Sequence, residues 1–314
     1  MTRFTDLVGC RHPIQLAAMS RTATPALAAG VSNLGGLGML AMGRPTIAEA
    51  ERQVDAALAL TNRPLGAGFI VLFLDRQILE HVAARLPVIE FFWGWPDPEL
   101  VLDGVITGWQ VGSVDEAKAA ADAGCRYVIA QGVEAGGHVR GVVPLSELLP
   151  AVRAAVDIPV VAAGGIGTAA AVRTVLLRGA DAVRIGTRFV ATVESDAHDR
   201  YVHLLVASSA ADTVITDRFD VGWPDAPVRV LQSALAAAQQ SPDGIVAQMV
   251  TPDGTIVEIP RFSTTPPNRA TTGNLDAMAL YAGTSVDAVT ERATLAAVMN
   301  ELVAGTRPEG TTTV

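Results

Sequence analysis

Short apolar runs alternate along the chain with longer stretches in which apolar and polar positions recur at helical spacing. The apolar runs lie at 13–18, 37–41, 65–71, 88–92, 105–111, 127–131, 160–163 and 182–185. The amphipathic, alanine-rich stretches predict helices at 24–34, 47–60, 75–85, 113–123, 145–156 and 168–178. Alternation of this kind is typical of parallel strands joined by crossover helices. Eight such repeats predict an α/β protein, a closed TIM (β/α)8 barrel.

Residues at the predicted helix ends support this division. Ser113 can cap a helix, with Glu116 three positions later to complete a capping box. Gly124 and Gly179 stand where glycines commonly end helices. The connection after the fourth strand, 96–101, is too short for a full helix, so an open doubly wound sheet remains the structural alternative.

The alternation ends after the eighth strand. Residues 196–273 are polar and irregular, with a proline-rich run at 260–267 and one alanine-rich helix near 230–239. We expect a smaller, mainly helical inserted domain that leans over the barrel mouth. Helices at 275–281 and 286–302 are expected to pack back on the barrel, and the tail 310–314 to fray. The predicted domains are therefore 1–195, 196–273 and 274–314.

Composition narrows the function classes. The chain has 314 residues, of which 50% are apolar and 5% aromatic, and its net charge is −9. An acidic chain without lysine or arginine runs argues against nucleic acid as a partner. The start lacks the apolar region of a signal peptide, and no stretch is long enough to span a bilayer, so we expect a cytoplasmic protein without a membrane partner.

Metal and thiol chemistry have little support. Cys10 and Cys125 are far apart and form no CxxC pair, which indicates neither a disulfide framework nor a thiolate metal site. The acidic and histidine residues between 194 and 203 have no HExxH or comparable spacing, so no metal is expected. A serine hydrolase is unsupported because no GxSxG motif occurs.

The most informative chemical signal is a strand that runs into a glycine-rich loop ending on a histidine. Residues 130–138 read Ala-Gln-Gly-Val-Glu-Ala-Gly-Gly-His. Glycines allow backbone to approach a ligand closely, and the imidazole of His138 is the side chain whose ordinary pKa lies nearest physiological pH. A solvated turn residue is the alternative. Position favours a site, because the loop would leave the carboxyl end of the sixth strand, where barrel enzymes place catalytic groups.

Two further loops fall where barrels bind phosphate. Residues 162–168 follow the seventh strand and 184–188 follow the eighth, and each opens a helix. Backbone N–H groups at Gly165 and Gly186 could hold phosphate oxygens, with the Thr187 hydroxyl adding a hydrogen bond. A purely structural turn is the alternative for either loop alone. The Rossmann fingerprint is not met, because the glycines at 35–38 precede a strand.

The order of these segments resembles the nitronate monooxygenase family, formerly called 2-nitropropane dioxygenases, which are FMN-dependent barrel enzymes. The resemblance extends from the first strand nearly to the C-terminus, and its most specific part is Glu-Ala-Gly-Gly-His at 134–138. The other matching segments are 13–19, 31–38, 163–166, 186–189 and 280–283.

The resemblance implies roles for residues already noted. FMN would place its phosphate on Gly165, Gly186 and Thr187, and His138 would be the catalytic base. The other residues expected at the cofactor are Met19 at the isoalloxazine edge, Gln131 and Gly136 alongside the flavin, and Arg184 and Ile185 leading into the phosphate loop. The implied reaction is oxidation of nitronates or nitroalkanes by O2 to a carbonyl compound and nitrite.

Departures from the family pattern leave the substrate open. Ala18 stands in place of a proline, Gly68 in place of an asparagine, and Phe92 in place of a histidine. Candidate substrate contacts near the mouth are Arg21, Trp93, Arg140 and Tyr281, and the added positive charge would suit an anionic nitronate. Alternatively, the arginines are solvated loop charges and the tryptophan caps the barrel.

Two other functions remain open. The related FMN-dependent enoyl-[acyl carrier protein] reductases share the Glu-Ala-Gly-Gly-His loop and the phosphate loops, and use NAD(P)H. A flavin-binding protein with altered catalysis is the second alternative. The sequence indicates neither the physiological substrate nor the oligomeric state.

Overall fold

A computed structural model describes residues 1–251 and 254–307, so the predicted frayed tail at 310–314 lies outside the described residues. In chain order the strands are β1 (Ile14–Leu16), β2 (Gly38–Met42), β3 (Leu65–Ile70), β4 (Val88–Phe92), β5 (Ile106–Val111), β6 (Tyr127–Gln131), β7 (Gly137–His138), β8 (Val160–Ala163), β9 (Ala182–Ile185), β10 (Thr213–Thr216), β11 (Val228–Leu231), β12 (Ile245–Val250), β13 (Ile256–Pro260) and β14 (Thr271–Gly273).

The α-helices are α1 (Arg3–Val8), α2 (Pro25–Asn33), α3 (Ile47–Leu58), α4 (Arg76–Ala83), α5 (Val114–Asp122), α6 (Leu145–Ala155), α7 (Ala169–Leu177), α8 (Thr187–Val190), α9 (Asp199–Val206), α10 (Gln232–Gln240) and α11 (Leu295–Ala304). None of the described helices combines the length and the apolar character needed to cross a membrane.

Eight parallel strands form the barrel. Their order is β1-β9-β8-β6-β5-β4-β3-β2. The ring closes between β1 and β2, because the Leu16 N–H donates to the Leu37 carbonyl and the Leu37 N–H donates to the Ile14 carbonyl, both at 2.9 Å. The predicted (β/α)8 barrel is confirmed, and the open doubly wound sheet is wrong.

Side chains alternate between the two faces of each barrel strand, as the period of two requires. Outward-facing residues such as Trp109 and Val183 pack under the helices. Inward-facing residues such as Tyr127 and Val161 pack on Phe4 of α1, which closes the lower end of the barrel. Both faces are therefore buried, which explains why the strands appear as continuous apolar runs.

The predicted helix ends are mostly observed. The Ser113 hydroxyl accepts from the Glu116 N–H, and Gly124 and Gly179 have positive φ values of 96° and 97°. The capping box at Ser113 is incomplete, because the Glu116 carboxylate accepts from the Gly112 N–H at 2.7 Å instead. Between β4 and β5 the connection holds only a 3-10 turn, Pro98–Leu100.

The C-terminal region differs from its prediction. The predicted helix at 275–281 is a 3-10 turn, Leu275–Ala277, followed by extended chain whose Leu280 carbonyl accepts from the Leu231 N–H. The predicted helix at 286–302 begins only at Leu295, where Thr294 caps α11. This helix buries its apolar face in the barrel core and packs against α2 and α7.

The segment after the barrel strands is not mainly helical. Between residues 196 and 273 the described chain contains α9, α10 and five strands, β10 to β14. Runs such as Thr-Val-Ile-Thr in β10 and Ile-Val-Ala-Gln-Met-Val in β12 are rich in β-branched residues, which favours pleated pairing. The sheet β10-β11-β7 joins this segment to the His138 loop. The domain boundaries at 195 and 273 stay a prediction.

Candidate active site

A cavity of about 820 Å³ opens at the carboxyl ends of the barrel strands. Its wall combines the loops after the barrel strands with residues of the segment that follows the barrel, including Trp223 and Thr264. The volume lies within the range of small-molecule and cofactor sites, and this end of a barrel is where catalytic groups are found.

Most of the sequence-predicted site residues meet in this wall. The residues brought together are Met19, Arg21, Gln131, Gly136, His138, Gly165, Arg184, Gly186, Thr187 and Tyr281. Ile185, Trp93 and Arg140 are not part of the wall.

The strand pattern and the local contacts explain why these three residues lie outside the wall. Ile185 follows the inward-facing Arg184, so its side chain points outward and packs in the helix–sheet core. Arg140 pairs with Glu116 at 2.6 Å and lies 5.4 Å from the centre of the Trp93 ring. Trp93 and Arg140 therefore lie next to each other outside the wall, and their part in substrate binding stays a prediction.

His138 lies on β7, which pairs antiparallel with β11 so that Val228 is opposite the histidine. Gln131 fixes the loop, since its side-chain amide donates to the His138 carbonyl and accepts from the Arg140 N–H, both at 2.9 Å. The imidazole lines the cavity, and its Nε2 is buried without a hydrogen-bond partner among the described residues.

Burial of the imidazole lowers the pKa of His138 from 6.5 to about 3, so the ring is neutral at physiological pH. Aromatic rings surround it. The Trp223 indole stacks on it at 3.7 Å between centroids, and the rings of Trp93 and Tyr281 each lie 5.9 Å away. Desolvation by these rings disfavours the charged imidazolium and is the cause of the lowered pKa.

The loops after β8 and β9 present free backbone donors. Among the described residues, the N–H groups of Gly165, Gly186 and Thr187 have no intramolecular acceptor. The Thr187 hydroxyl accepts from the Gly283 N–H at 3.0 Å, which leaves its own proton available. Backbone donors that line a cavity near a helix start can bind an anion, so an anionic group such as a phosphate fits these loops.

Two glycines of the site are required for backbone geometry. Gly165 has φ +68°, a conformation that other residues rarely adopt. A Cβ at Gly136 would lie 2.5 Å from the backbone nitrogen of Gly283, so the histidine loop can pack on this segment only without a side chain there. Gly136 therefore brings the loop and the chain near Gly283 together.

A buried polar network inside the barrel borders the cavity through Glu90, Gln110 and Arg184, and of its members the sequence analysis named only Arg184 as a site residue. The Arg184 guanidinium forms an ion pair with Glu90 and donates to Gln15 and Gln110 at 3.0 and 2.5 Å. Glu90 also accepts from Gln15 and from the Tyr127 hydroxyl, at 2.7 and 2.6 Å. Burial lowers the pKa of Arg184 to about 9. The sequence does contain a signal for this network, because charged and amide residues stand inside otherwise apolar strands.

Trp223, Arg44 and Arg52 also lie in the cavity wall, although the sequence analysis did not select them. Trp223 comes from the β10–β11 connection, and nothing local in the sequence indicates its contact with His138. Arg44 and Arg52 join Arg21 in the wall near the mouth. Glu49 lies in the same part of the wall and interacts electrostatically with Arg21 and Arg52, so the three arginines leave a partial excess of positive charge on a chain whose net charge is −9.

The comparisons with known proteins agree with this geometry. The chain matches the family model described as nitronate monooxygenase over two overlapping segments, residues 1–86 and 74–305. A probable nitronate monooxygenase of Staphylococcus saprophyticus is 31% identical over 274 residues, which cover 69% of this chain and 75% of that protein.

A second curated relative has a different name. It is the (3aS,4S,5R,7aS)-5-hydroxy-7a-methyl-1-oxo-octahydro-1H-indene-4-carboxyl-CoA dehydrogenase of Rhodococcus jostii, 37% identical over 239 residues. The match covers 74% of this chain and 66% of that protein, just under two thirds of its length.

Two solved structures share the fold. FabK from Thermotoga maritima gives a TM-score of 0.78 at 27% identity, covering 97% of this chain and 96% of that chain. Nitroalkane oxidase from Streptomyces ansochromogenes gives a TM-score of 0.73 at 29% identity, covering 97% of both chains.

Proposed function

Because this chain belongs to the nitronate monooxygenase family, we propose that it binds FMN at the barrel mouth and oxidises a nitronate with O2 to a carbonyl compound and nitrite. One observation carries the proposal. His138, whose Nε2 is buried without a partner among the described residues, lines the same cavity as the loops whose N–H groups lack acceptors. An anion-binding end and an imidazole in one cavity suit a phosphate-bearing redox cofactor and its substrate.

The residues present fit FMN. Gly165, Gly186 and Thr187 would hold the phosphate, and Met19 and Arg184 are available in the wall for the flavin ring. The Gln131 amide is already engaged at both ends, so its part is to hold the His138 loop. Bound FMN would supply the electron acceptor and the reaction with O2.

His138 is suited to an anionic substrate. General-base catalysis is most effective when the pKa of the base lies near the working pH, and burial of the His138 ring lowers its pKa to about 3. A nitronate has already lost the proton that a neutral nitroalkane must give up. The neutral imidazole would therefore act mainly by hydrogen bonding through Nε2, and we expect slower reaction with the nitroalkane.

Other residues of the cavity also favour a negatively charged substrate. Arg21 lies in the cavity wall with Arg44, Arg52 and Glu49, and the excess of positive charge among them would attract a nitronate. The Tyr281 hydroxyl donates to the Thr264 carbonyl at 2.6 Å, so this residue offers its ring to the substrate space and not a free proton.

The test begins with the visible spectrum of the purified, FMN-reconstituted protein, followed by nitrite formation from ethyl nitronate in air. We expect flavin bands and nitrite, with a His138→Asn variant that keeps its flavin. This variant should lose roughly 10-fold or more in kcat/KM, because the shorter Asn amide does not reach the Nε2 position and one hydrogen bond to a charged substrate is lost. His203→Asn, at an exposed residue of α9, is the control. Protein that takes up no FMN, or flavin-loaded protein that releases no nitrite, would refute the proposal.

A second candidate is an oxidoreductase acting on an acyl thioester, such as an enoyl thioester reduced by hydride from NAD(P)H and a proton. The arginines at the mouth favour it, because coenzyme A carries several phosphate groups and would lie beyond the barrel. The carboxyl-CoA named for the Rhodococcus relative and the similarity to FabK support the same candidate.

Anaerobic mixing with NADH or NADPH separates the two candidates. Rapid bleaching of the flavin, and inhibition by coenzyme A that weakens in Arg52→Ala, would favour the thioester enzyme. A flavin that neither NADH nor NADPH bleaches, together with nitrite formation in air, would favour the nitronate enzyme. Flavin without either reaction would indicate a flavin-binding protein with altered catalysis.

A further inference from the structure

Trp223 is a buried residue of the cavity wall that comes from a mostly exposed connection. Residues 217–227 join β10 to β11 and are mostly exposed, whereas the Trp223 side chain is 4% exposed and forms part of the cavity wall. The loop therefore reaches from outside the barrel and places one large aromatic side chain in the site.

The Trp223 indole is in direct contact with the His138 ring. Trp223 stacks on the His138 imidazole with 3.7 Å between ring centroids and 24° between ring planes. The rings of Trp93 and Phe73 meet the indole edge to face, each with centroids 5.2 Å away. Such pairs contribute about 0.5–1.5 kcal/mol beyond area burial, so the indole has a defined orientation.

Contacts from the barrel hold the loop in place. Arg44, on the loop after β2, donates a hydrogen bond to the Gly222 carbonyl, and its guanidinium lies 3.6 Å from the centre of the Phe73 ring. At the other end, β11 pairs with β7 with Val228 opposite His138. The indole and the imidazole are thus fixed by separate contacts and meet at their faces.

Charged groups around the imidazole are engaged with other partners. Arg140 pairs with Glu116, and Arg229 on β11 donates to the Val133 carbonyl. Arg44 on the loop after β2 donates to Gly222. Among these described contacts the imidazole is held by aromatic rings, without an ion pair.

We infer that Trp223 is a positioning residue whose indole fixes the plane of the His138 imidazole and keeps water from it, so that the ring meets the substrate in one orientation. This rests on the proposed function of His138. The indole N–H is itself buried without a partner among the described residues, but positioning requires only the ring face.

The test compares Trp223→Phe, which retains a ring, with Trp223→Leu, which does not. Titration of isotope-labelled histidine followed by NMR, with His138→Asn to assign the signal, reports on the imidazole without any turnover. We expect the His138 pKa in Trp223→Leu to rise towards 6.5 and kcat to fall at least 10-fold with little change in KM or flavin content. Trp223→Phe should stay close to wild type, as should Trp95→Leu at an exposed tryptophan.

Arg44→Ala provides a second variant if Trp223→Leu does not fold, because it loosens the loop and keeps the indole. We expect a change in the same direction and of smaller size. An unchanged His138 titration and pH profile in the variants would overturn the inference. Loss of activity in Trp223→Phe equal to that in Trp223→Leu, with normal titration, would also overturn it and assign the role to the indole N–H. A shifted titration in protein that makes no nitrite would support the positioning role and refute the proposed reaction.

Discussion

His138 combines a buried ring with an unpartnered nitrogen, and the same burial makes it sensitive to pH. Its pKa lies at about 3 in the folded protein and at 6.5 in its ordinary state. The unfolded chain therefore binds the proton first as pH falls, and the folded state loses stability between about pH 6.5 and 3.

We expect urea midpoints of wild type to fall more steeply than those of His138→Gln between pH 6.5 and 4. The extra slope is at most about 1.4 kcal/mol per pH unit, because one proton is involved. Above pH 7 the two slopes should coincide. Parallel curves throughout would show that the imidazole is not desolvated.

Arg184 and Glu90 give a second prediction at this scale. Glu90→Gln leaves the guanidinium buried without its counter-charge, so we expect a loss of roughly 3–5 kcal/mol in the free energy of unfolding. Replacing both residues in Glu90→Gln/Arg184→Met removes the buried charges together and should cost less than Glu90→Gln alone. Urea unfolding of both variants measures the difference. A double variant with a lower free energy of unfolding than Glu90→Gln would contradict this account.

At the scale of elements, β5 and β6 fit together inside the barrel through one glycine. A Cβ at Gly108 would lie 2.3 Å from the Tyr127 ring, which is fully buried on the neighbouring strand. We expect Gly108→Ala to lower the free energy of unfolding by about 1–3 kcal/mol through overpacking. Gly43→Ala is the matched control, since a Cβ there meets nothing within 4 Å. Equal thermal midpoints for the two variants would argue against the tight fit.

The barrel strands and the glycine-rich loops after β8 and β9 could be predicted because each depends on a local pattern. An apolar run followed by glycines identifies a buried strand and the loop after it, as at β8 and Gly165. Which side chains face inward could not be predicted, since both faces of these strands are buried and Glu90 gives no sign of its partner. The contact of Trp223 with His138 depends on two strands that are far apart in sequence. Short apolar runs such as β12 suit a helix or a strand by their spacing, and only their β-branched residues favour the strand that is observed.

For the whole molecule, the segment after β9 returns to the barrel through α11. The short α8 does not cover the gap between α7 and α2, and α11 fills it with its apolar face. The chain between β9 and α11 can therefore lie over the cavity while the barrel remains enclosed by helices. The stability of the barrel and the position of the Trp223 loop depend on the same long excursion of the chain.

Leu302 tests this dependence because it is fully buried where α11 joins the core. Leu302→Ala should lower the free energy of unfolding by about 2–5 kcal/mol, the range for a leucine cavity in a packed core. Leu177→Ala on α7 is the control, since that side chain is 82% exposed and its loss should change little. If α11 only rested on a barrel that was complete without it, both variants would unfold at the wild-type urea concentration. A deficit in Leu302→Ala that appears in circular dichroism and in tryptophan fluorescence at one urea midpoint would show that α11 unfolds with the barrel.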